Sequence, residues 1–213
     1  IDTVSHLINE GCRSVGFVSS SHNAIQIRTI IREIRSNGLN PIFVLNTNSY
    51  EKVETIRNYE GLIDVYLPDF KYSDNSLAKE LSGVGNYCVN AVSAIKEMYR
   101  QKGLSLHVNN EGYAECGLII RHLVLPGYVQ NSIEVLRTIA KEISNSVHIS
   151  LMSQYTPIPQ TTSHPALSRG LTEEEYCTVV EEMEALGFGN GWIQELDSSN
   201  NYFPDFDKSH PFE

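Results

Sequence analysis

Short apolar segments alternate with amphipathic segments along this chain, and no other feature restricts its possible folds as strongly. Residues 14–20 have the composition of a strand, and Ala24, Ile27, Ile30, Ile31 and Ile34 then recur at helical spacing. Further strands are predicted over 41–46, 62–67, 118–125 and 147–152. Apolar strands separated by helices are typical of a parallel sheet covered by helices. The sequence therefore predicts an α/β fold, built on either an open sheet or a full or partial barrel.

Helix and loop signals complete this pattern. A long helix is predicted over 87–102, with an inward stripe of Val89, Val92, Ile95 and Met98. Two later helices carry capping-box signals, namely Asn131 with Glu134 and Thr172 with Glu175. Residues 104–112 indicate a small hairpin or an extended connector. The loop over 154–168 is rich in Pro and Thr and is long enough to cover a site.

The composition limits the number of domains and the classes of partner that this chain can have. A chain of 213 residues with 41% hydrophobic content predicts one domain over 1–186, with an aromatic and acidic tail over 187–213. We expect the tail to pack on the barrel, and a partner-binding arm is the alternative. A net charge of -10 argues against a nucleic acid or an anionic membrane as partner. No apolar run approaches the roughly 20 residues of a membrane span, so we expect a cytoplasmic protein.

The amino terminus and the cysteines add two expectations. The chain opens at Ile1 in the middle of a helical pattern, which indicates that a segment precedes it. The four cysteines are far apart and lie in apolar or periodic segments: Cys12, Cys88, Cys116 and Cys177. Buried thiols fit that distribution better than a disulfide framework or a metal site.

Polar residues gather at the predicted strand ends. In parallel α/β folds, ligands bind at the carboxyl ends of the strands. The polar strand ends of this chain are Ser19 to His22, Asn46 to Asn48, Asp69 with Lys71, Arg121 with His122, and Met152 to Tyr155. Five such ends around one mouth predict a site for a polar, partly charged small molecule.

The pair formed by Asp69 and Lys71 is the most distinctive of these. Because side chains alternate along a strand, both charges are expected on one face, where they can pair or bind a zwitterionic ligand. The alternative is a surface salt bridge worth about 0–1 kcal/mol. Lys71 as a Schiff-base nucleophile is a weaker interpretation, because Asp69 would keep the amine charged.

Each of the other candidates also has a structural alternative. His22 can cap the following helix, and Asn46 can shape a turn instead of binding a ligand. Arg121 and His122 point to opposite faces of one strand, so at most one of them faces the mouth. Tyr155 can be a core residue whose hydroxyl bonds to the backbone.

Four longer blocks are more specific than these single residues. They are VYLPDFKY at 65–72, AIKEMYRQ at 94–101, GLIIRHLVLPG at 117–127 and MSQY at 152–155. Together they resemble the radical S-adenosylmethionine (SAM) proteins that are similar to pyruvate formate-lyase activating enzyme, and the match runs across nearly the whole chain. The resemblance implies a TIM-type barrel that is incomplete relative to the (β/α)6 core, with SAM and a [4Fe–4S] cluster at the carboxyl-end mouth.

The resemblance also assigns residues to SAM. Asp69 and Lys71 correspond to an acid-x-lysine pair that contacts SAM, with Lys71 facing the methionine carboxylate. Ser20, Ser21 and His22 fall where the wider superfamily has a Gly-Gly-Glu motif for the methionine amino group, and that motif is absent here. Arg121 matches an arginine of the fifth strand. Tyr155 falls where activating enzymes often have a histidine near the adenosyl group.

One departure from the family is large. The family's Cys-x3-Cys-x2-Cys motif, which holds three irons and leaves the fourth open to SAM, is missing. Either the cluster ligands lie upstream of this chain, or the chain no longer performs the chemistry. The mid-pattern start at Ile1 favours the first explanation, and this chain alone is then expected to be inactive.

For the intact protein, the resemblance implies an oxidoreductase in which the cluster cleaves SAM to a 5′-deoxyadenosyl radical. That radical would abstract hydrogen from a protein glycine or another substrate. Implied partners are a glycyl-radical enzyme and an electron donor such as flavodoxin or ferredoxin. Two rivals stay open: a non-catalytic module that binds a small molecule or a protein, and a (β/α) hydrolase or aldolase that uses Lys71 or His122.

Overall fold

The computed structural model describes residues 2–18 and 22–196, which form alternating helices and strands. The helices are α1 (Asp2–Asn9), α2 (Ala24–Ser36), α3 (Val53–Arg57), α4 (Asn75–Ser82), α5 (Tyr87–Lys102), α6 (Val129–Glu142) and α7 (Glu173–Ala185). The strands are β1 (Ser14–Val18), β2 (Ile42–Thr47), β3 (Val65–Pro68), β4 (His107–Val108), β5 (Ala114–Leu123), β6 (His148–Met152) and β7 (Gly191–Ile193).

The strands form one sheet in the order β1-β2-β3-β5-β6-β7, and β4 pairs with β5 beside this path. The pairs β1·β2, β2·β3, β3·β5 and β6·β7 are parallel, with Val18 opposite Asn46 and Thr47 opposite Pro68. Strand β4 is antiparallel to β5, which confirms the hairpin alternative for 104–112. The predicted α/β class, with a parallel sheet that does not close into a full barrel, is therefore confirmed.

The chain divides into two compact units. Unit 1 consists of Ile1–Phe70 and Asp74–Ile120, and unit 2 consists of Lys71–Ser73 and Arg121–Glu213. The proposed division into a barrel over 1–186 and a tail over 187–213 stays a prediction. Most of that tail, 197–213, lies outside the described residues.

Unit 1 buries apolar side chains from its helices against those of its strands. Helix α2 contributes Ile31 and Ile34, and β2 contributes Phe43 and Leu45, all four without solvent exposure. Helix α5 contributes a face that differs from the predicted stripe, because Val89 is 68% exposed. The buried positions of α5 are Tyr87, Ala91, Ala94, Ile95, Glu97 and Met98.

Unit 2 is built in the same way around β6. Ile149 and Leu151 of this strand are fully buried, as are Val135 and Ile139 of α6. Helix α7 packs against α6. The hydroxyl of its buried Tyr176 donates a 3.0 Å hydrogen bond to the carbonyl oxygen of Leu151. Burial raises the pKa of this tyrosine to about 12.

Three local features depart from the sequence expectations. Helix α4 was not predicted, and Asp74 caps it by accepting from the first-turn amides of Ser76 and Leu77. Strand β7 lies in a segment assigned to the tail. The capping box at Asn131 is wrong, because α6 begins at Val129 and its N-cap, Tyr128, makes no side-chain cap. The capping box of Thr172 and Glu175 is confirmed at the start of α7.

None of the helices in the described part of the chain combines the length and the apolar character that crossing a bilayer requires.

Candidate functional site

A cleft of about 620 Å³ opens in unit 1 beyond the carboxyl ends of β1 and β2. This is the edge of a parallel sheet at which ligands bind in α/β folds. Each of its lining residues carries a polar group: His22, Asn48, Tyr50, Glu51, Lys52, Thr55, Asn86 and Asn90. We call this feature the unit 1 cleft.

The turn after β2 forms one wall of the unit 1 cleft. The hydroxyl of Thr47 donates a 2.9 Å hydrogen bond to Oε1 of Glu51, which is only 3% exposed. Between them, Ser49 has φ of 65° and a buried hydroxyl with no hydrogen-bond partner among the described residues. A non-glycine residue in the left-handed region is uncommon, and such strain gathers at functional turns. The turn therefore holds a buried carboxylate at the cleft.

Aromatic side chains connect this turn to α5. The hydroxyl of Tyr50 donates a 2.6 Å hydrogen bond to Oδ1 of Asn86, and its ring stacks on that of Tyr87 with centroids 6.4 Å apart. The hydroxyl of Tyr87 lies 3.0 Å from the carbonyl oxygen of Asn48 and 2.9 Å from that of Asp69. Tyr87 thus ties the ends of β2 and β3 together.

Asp69 occupies the position directly after β3 in unit 1. Its amide donates a 2.8 Å hydrogen bond to the carbonyl oxygen of Thr47. Its side chain is half-buried, whereas its neighbours Pro68 and Phe70 are buried. The backbone of Asp69 is therefore fixed at its amide by Thr47 and at its carbonyl by the hydroxyl of Tyr87.

Lys71 belongs to the short segment of unit 2 and is held by α6. The Asn131 amide nitrogen donates a 3.0 Å hydrogen bond to the carbonyl oxygen of Lys71. Oδ1 of the same side chain accepts from the Ser73 amide at 2.9 Å and from the Ser73 hydroxyl at 3.2 Å. The side chain of Lys71 is exposed, whereas Tyr72 is buried. Burial thus alternates through this stretch, as the sequence predicted.

The remaining candidates of unit 2 have separate surroundings. His122 is 1% exposed, and its Nε2 lies 2.8 Å from the hydroxyl of Ser132 on α6. Arg121, on the opposite face of β5, is half-buried. The Tyr155 hydroxyl donates a 2.7 Å hydrogen bond to the carbonyl oxygen of Leu167, which is the core alternative given for this residue. His122 is therefore a poor candidate for a catalytic base.

The structure brings together few of the residues that the sequence put forward. Of them, His22 lines the unit 1 cleft, while Asn46 and Asp69 are not among its lining residues. Asn46 is half-buried on β2, and Ser20 and Ser21 lie outside the described residues.

Sequence reasoning missed Tyr50, Glu51, Lys52 and Thr55 in the cleft. A signal for them was present, since a polar stretch follows the strand end at Asn46 to Asn48. Asn86 and Asn90 were missed because only the folded chain places the start of α5 at this strand end. Asn131 was assigned to a capping box, although its side chain holds the segment of Lys71.

The cysteines do not form a metal site. Cys12 and Cys177 are exposed, and Cys88 and Cys116 are half-buried, so the expectation of four buried thiols is wrong. Burial and the charge of Asp74 raise the pKa of the Cys88 thiol, which opposes the thiolate form that binds metals. Within residues 2–18 and 22–196, no group of three or more His, Cys, Asp or Glu side chains is arranged to hold a metal ion. The described residues therefore do not fit a [4Fe–4S] cluster.

Comparison with known proteins identifies a relative by sequence and, among the solved structures, chains with a similar fold. No family model matches the chain. An uncharacterized protein of Methanocaldococcus jannaschii is 31% identical over 173 residues, which are 81% of this chain and 46% of that protein. The chain thus spans less than half the length of this relative.

A crystal structure of a domain of pyruvate-formate lyase-activating enzyme from Bacteroides vulgatus has a similar fold. The TM-score is 0.58, with 14% sequence identity, over 85% of this chain and 98% of that domain. At this identity the likeness establishes the fold only. The two chains share an α/β architecture with a largely parallel sheet.

Proposed function

We propose that this chain is the SAM-binding α/β domain of a larger radical SAM protein of the glycyl-radical activating type. The observation that carries the proposal is the placement of Lys71, an exposed residue that follows β3 on a backbone segment fixed by Asn131. An ammonium at a strand end suits the methionine carboxylate of SAM. The fold shared with an activating-enzyme domain supports the same assignment.

In this proposal the chain binds and orients SAM and does not hold the cluster. Lys71 contacts the methionine carboxylate, and Asp69 is the acidic member of the same pair. The iron ligands are assigned to a part of the protein outside these 213 residues, because the four cysteines here lie apart. A protein the length of the M. jannaschii relative has room for them, since the chain covers 46% of it.

The partners follow from the same proposal. A protein that carries the glycine to be activated, or another substrate, would meet the intact enzyme, and a flavodoxin or ferredoxin would supply the electron. The protein is proposed to work in the cytoplasm without contact to nucleic acid or membrane, in keeping with its net charge of -10.

Metal uptake tests the assignment of the cluster. The full-length protein, purified without oxygen and treated with iron and sulfide, is expected to take up about four irons, as one [4Fe–4S] cluster requires. Residues 1–213 alone, treated in the same way, are expected to take up none. A full-length protein that binds no iron would refute the radical SAM assignment.

Titration with SAM tests the site. Lys71→Ala in the full-length protein is expected to weaken SAM binding about tenfold, which corresponds to one charged hydrogen bond. Lys79→Ala, which removes an exposed lysine of α4, is the matched control and is expected to leave the affinity unchanged. Equal affinity in both variants would rule out a role for Lys71.

The unit 1 cleft favours one second candidate, a non-catalytic module that binds a small polar molecule. Its wall contains the buried carboxylate of Glu51, and its lining adds the ammonium of Lys52 and the amides of three asparagines. Such a module would bind its ligand without iron. The iron assay on the full-length protein therefore separates the two candidates.

A further inference from the structure

We propose that Asn131 is a positioning residue that sets the direction of the Lys71 side chain. The inference rests on the proposed function, because it gives Asn131 its role through the SAM contact of Lys71. Asn131 is only 9% exposed, and it lies in the first turn of α6, where its side chain is not needed as a cap.

The geometry shows what Asn131 does. Its amide nitrogen donates to the carbonyl oxygen of Lys71 at 3.0 Å, and its Oδ1 accepts from the Ser73 amide at 2.9 Å. One planar side chain thus bonds the backbone on both sides of Tyr72. Tyr72 is 6% exposed, so its ring is packed. The segment from Lys71 to Ser73 is therefore held both by the buried side chain of Tyr72 and by the backbone hydrogen bonds to Asn131.

Fixing this segment matters because lysine is a flexible residue. A lysine side chain has high rotamer entropy, so its ammonium finds a ligand efficiently only from a fixed starting point. A segment outside helices and strands does not provide a fixed starting point by itself, and residues 71–73 lie in such a segment. Asn131 connects this segment to α6, a helix of 14 residues, and the helix provides the fixed starting point.

A selective ligand pair separates positioning from general stability. SAM carries the methionine carboxylate, whereas 5′-methylthioadenosine retains the adenosyl and sulfur groups but lacks that carboxylate. A residue that acts through Lys71 must change the affinity for SAM and leave the affinity for 5′-methylthioadenosine unchanged. A residue that only stabilises the fold changes both affinities equally. The ratio of the two affinities is also independent of the fraction of protein that is folded.

The experiment measures both ligands with the full-length protein and its variants. Asn131→Ala and Lys71→Ala are each expected to lower the SAM affinity about tenfold and to leave that for 5′-methylthioadenosine within about twofold. Asn131→Asp keeps an acceptor for Ser73 but loses the donor to Lys71, so it is expected to behave like Asn131→Ala. Asn190→Ala removes an amide that donates to the carbonyl oxygen of Ser146 at 2.9 Å. This control is expected to change neither affinity.

The outcomes are distinct. Loss of SAM selectivity in both Lys71→Ala and Asn131→Ala supports the inference. If SAM selectivity is lost in Lys71→Ala alone, or if Asn131→Ala weakens the binding of both ligands equally, the role of Asn131 is overturned and the proposed function still stands. No loss in Lys71→Ala overturns the SAM contact itself, and the inference with it.

Discussion

Glu175 connects three parts of unit 2 through one carboxylate, and its replacement by glutamine is expected to destabilise the unit. Arg169 donates to both carboxylate oxygens at 2.7 Å, and the amide of Gly127 donates to Oε1 at 2.7 Å. The amide and hydroxyl of Thr172 donate to Oε2 at 3.0 and 3.1 Å. The side chain is 16% exposed, so these bonds are partly shielded from water.

The magnitude follows from these bonds. The capping box with Thr172 is worth about 1 kcal/mol. The charged bond from the Gly127 amide contributes about 1.5 kcal/mol. The pair with Arg169 adds little, because the guanidinium is exposed to solvent. Glutamine keeps the shape but loses the charge and one acceptor oxygen, so Glu175→Gln is expected to lower the free energy of unfolding by about 2 kcal/mol.

The contribution of Glu175 to the free energy of unfolding depends on pH, and the direction of this dependence follows from its pKa. The bonds from Arg169, and then those from Thr172 and Gly127, lower the pKa of Glu175 from 4.5 to about 2. A carboxyl group with a lowered pKa stabilises the folded state fully above its unfolded pKa, and this contribution disappears as the pH falls toward the folded pKa. The difference between the native protein and Glu175→Gln is therefore expected to be constant from pH 7 to about 5 and to shrink below that.

Urea unfolding, followed by circular dichroism and by hydrogen exchange of the α7 amides, measures this difference. Glu174→Gln is the matched control, since Glu174 is an exposed residue of the same helical turn. It is expected to change stability by less than about 0.5 kcal/mol. Equal losses in both variants, or a difference for Glu175→Gln that persists unchanged to pH 3, would refute the reasoning.

Three further substitutions test other parts of the fold. Tyr87→Phe removes the hydroxyl that bonds two strand-end carbonyl groups, including that of Asp69, and is expected to cost about 1–2 kcal/mol in urea unfolding. Gly191→Ala would place a Cβ 1.9 Å from the carbonyl oxygen of Ile149 at a φ of 121°, so we expect loss of β7, visible as faster hydrogen exchange in β6. Asp74→Ala removes the cap of α4 and is expected to lower stability by about 1 kcal/mol, with a glycine at the same position costing less.

The order of helices and strands was predictable because it depends on local patterns. Apolar strands over 41–46 and 147–152 correspond to β2 and β6. Of the stripe predicted for α2, Ile27, Ile31 and Ile34 are buried, whereas Ile30 is 39% exposed. The box of Thr172 and Glu175 was found because its two residues are close in the sequence. Local hydrogen bonds of this kind leave a readable pattern.

The errors occur where tertiary contacts outweigh local pattern. The stripe predicted for α5 is confirmed at Ile95 and Met98 but wrong at Val89, because the helix buries the small residues Ala91 and Ala94 instead. Asn131 looked like a cap because Asn is common there, yet its partners are 58 and 60 positions away. The unit 1 cleft was only partly predictable, because its walls come from strand ends and a helix start that the fold brings together.

The backbone contacts around Asp69 and Lys71 do not involve the side chains that the proposal assigns to SAM. The amide and carbonyl of Asp69 bond to Thr47 and Tyr87, and the carbonyl of Lys71 bonds to Asn131. These bonds belong to the main chain of the pair, so replacing either side chain by alanine leaves them intact. A change in ligand affinity in such variants therefore reports on the charged groups themselves. The same logic separates them from Asn131, whose replacement removes the support but not the charge.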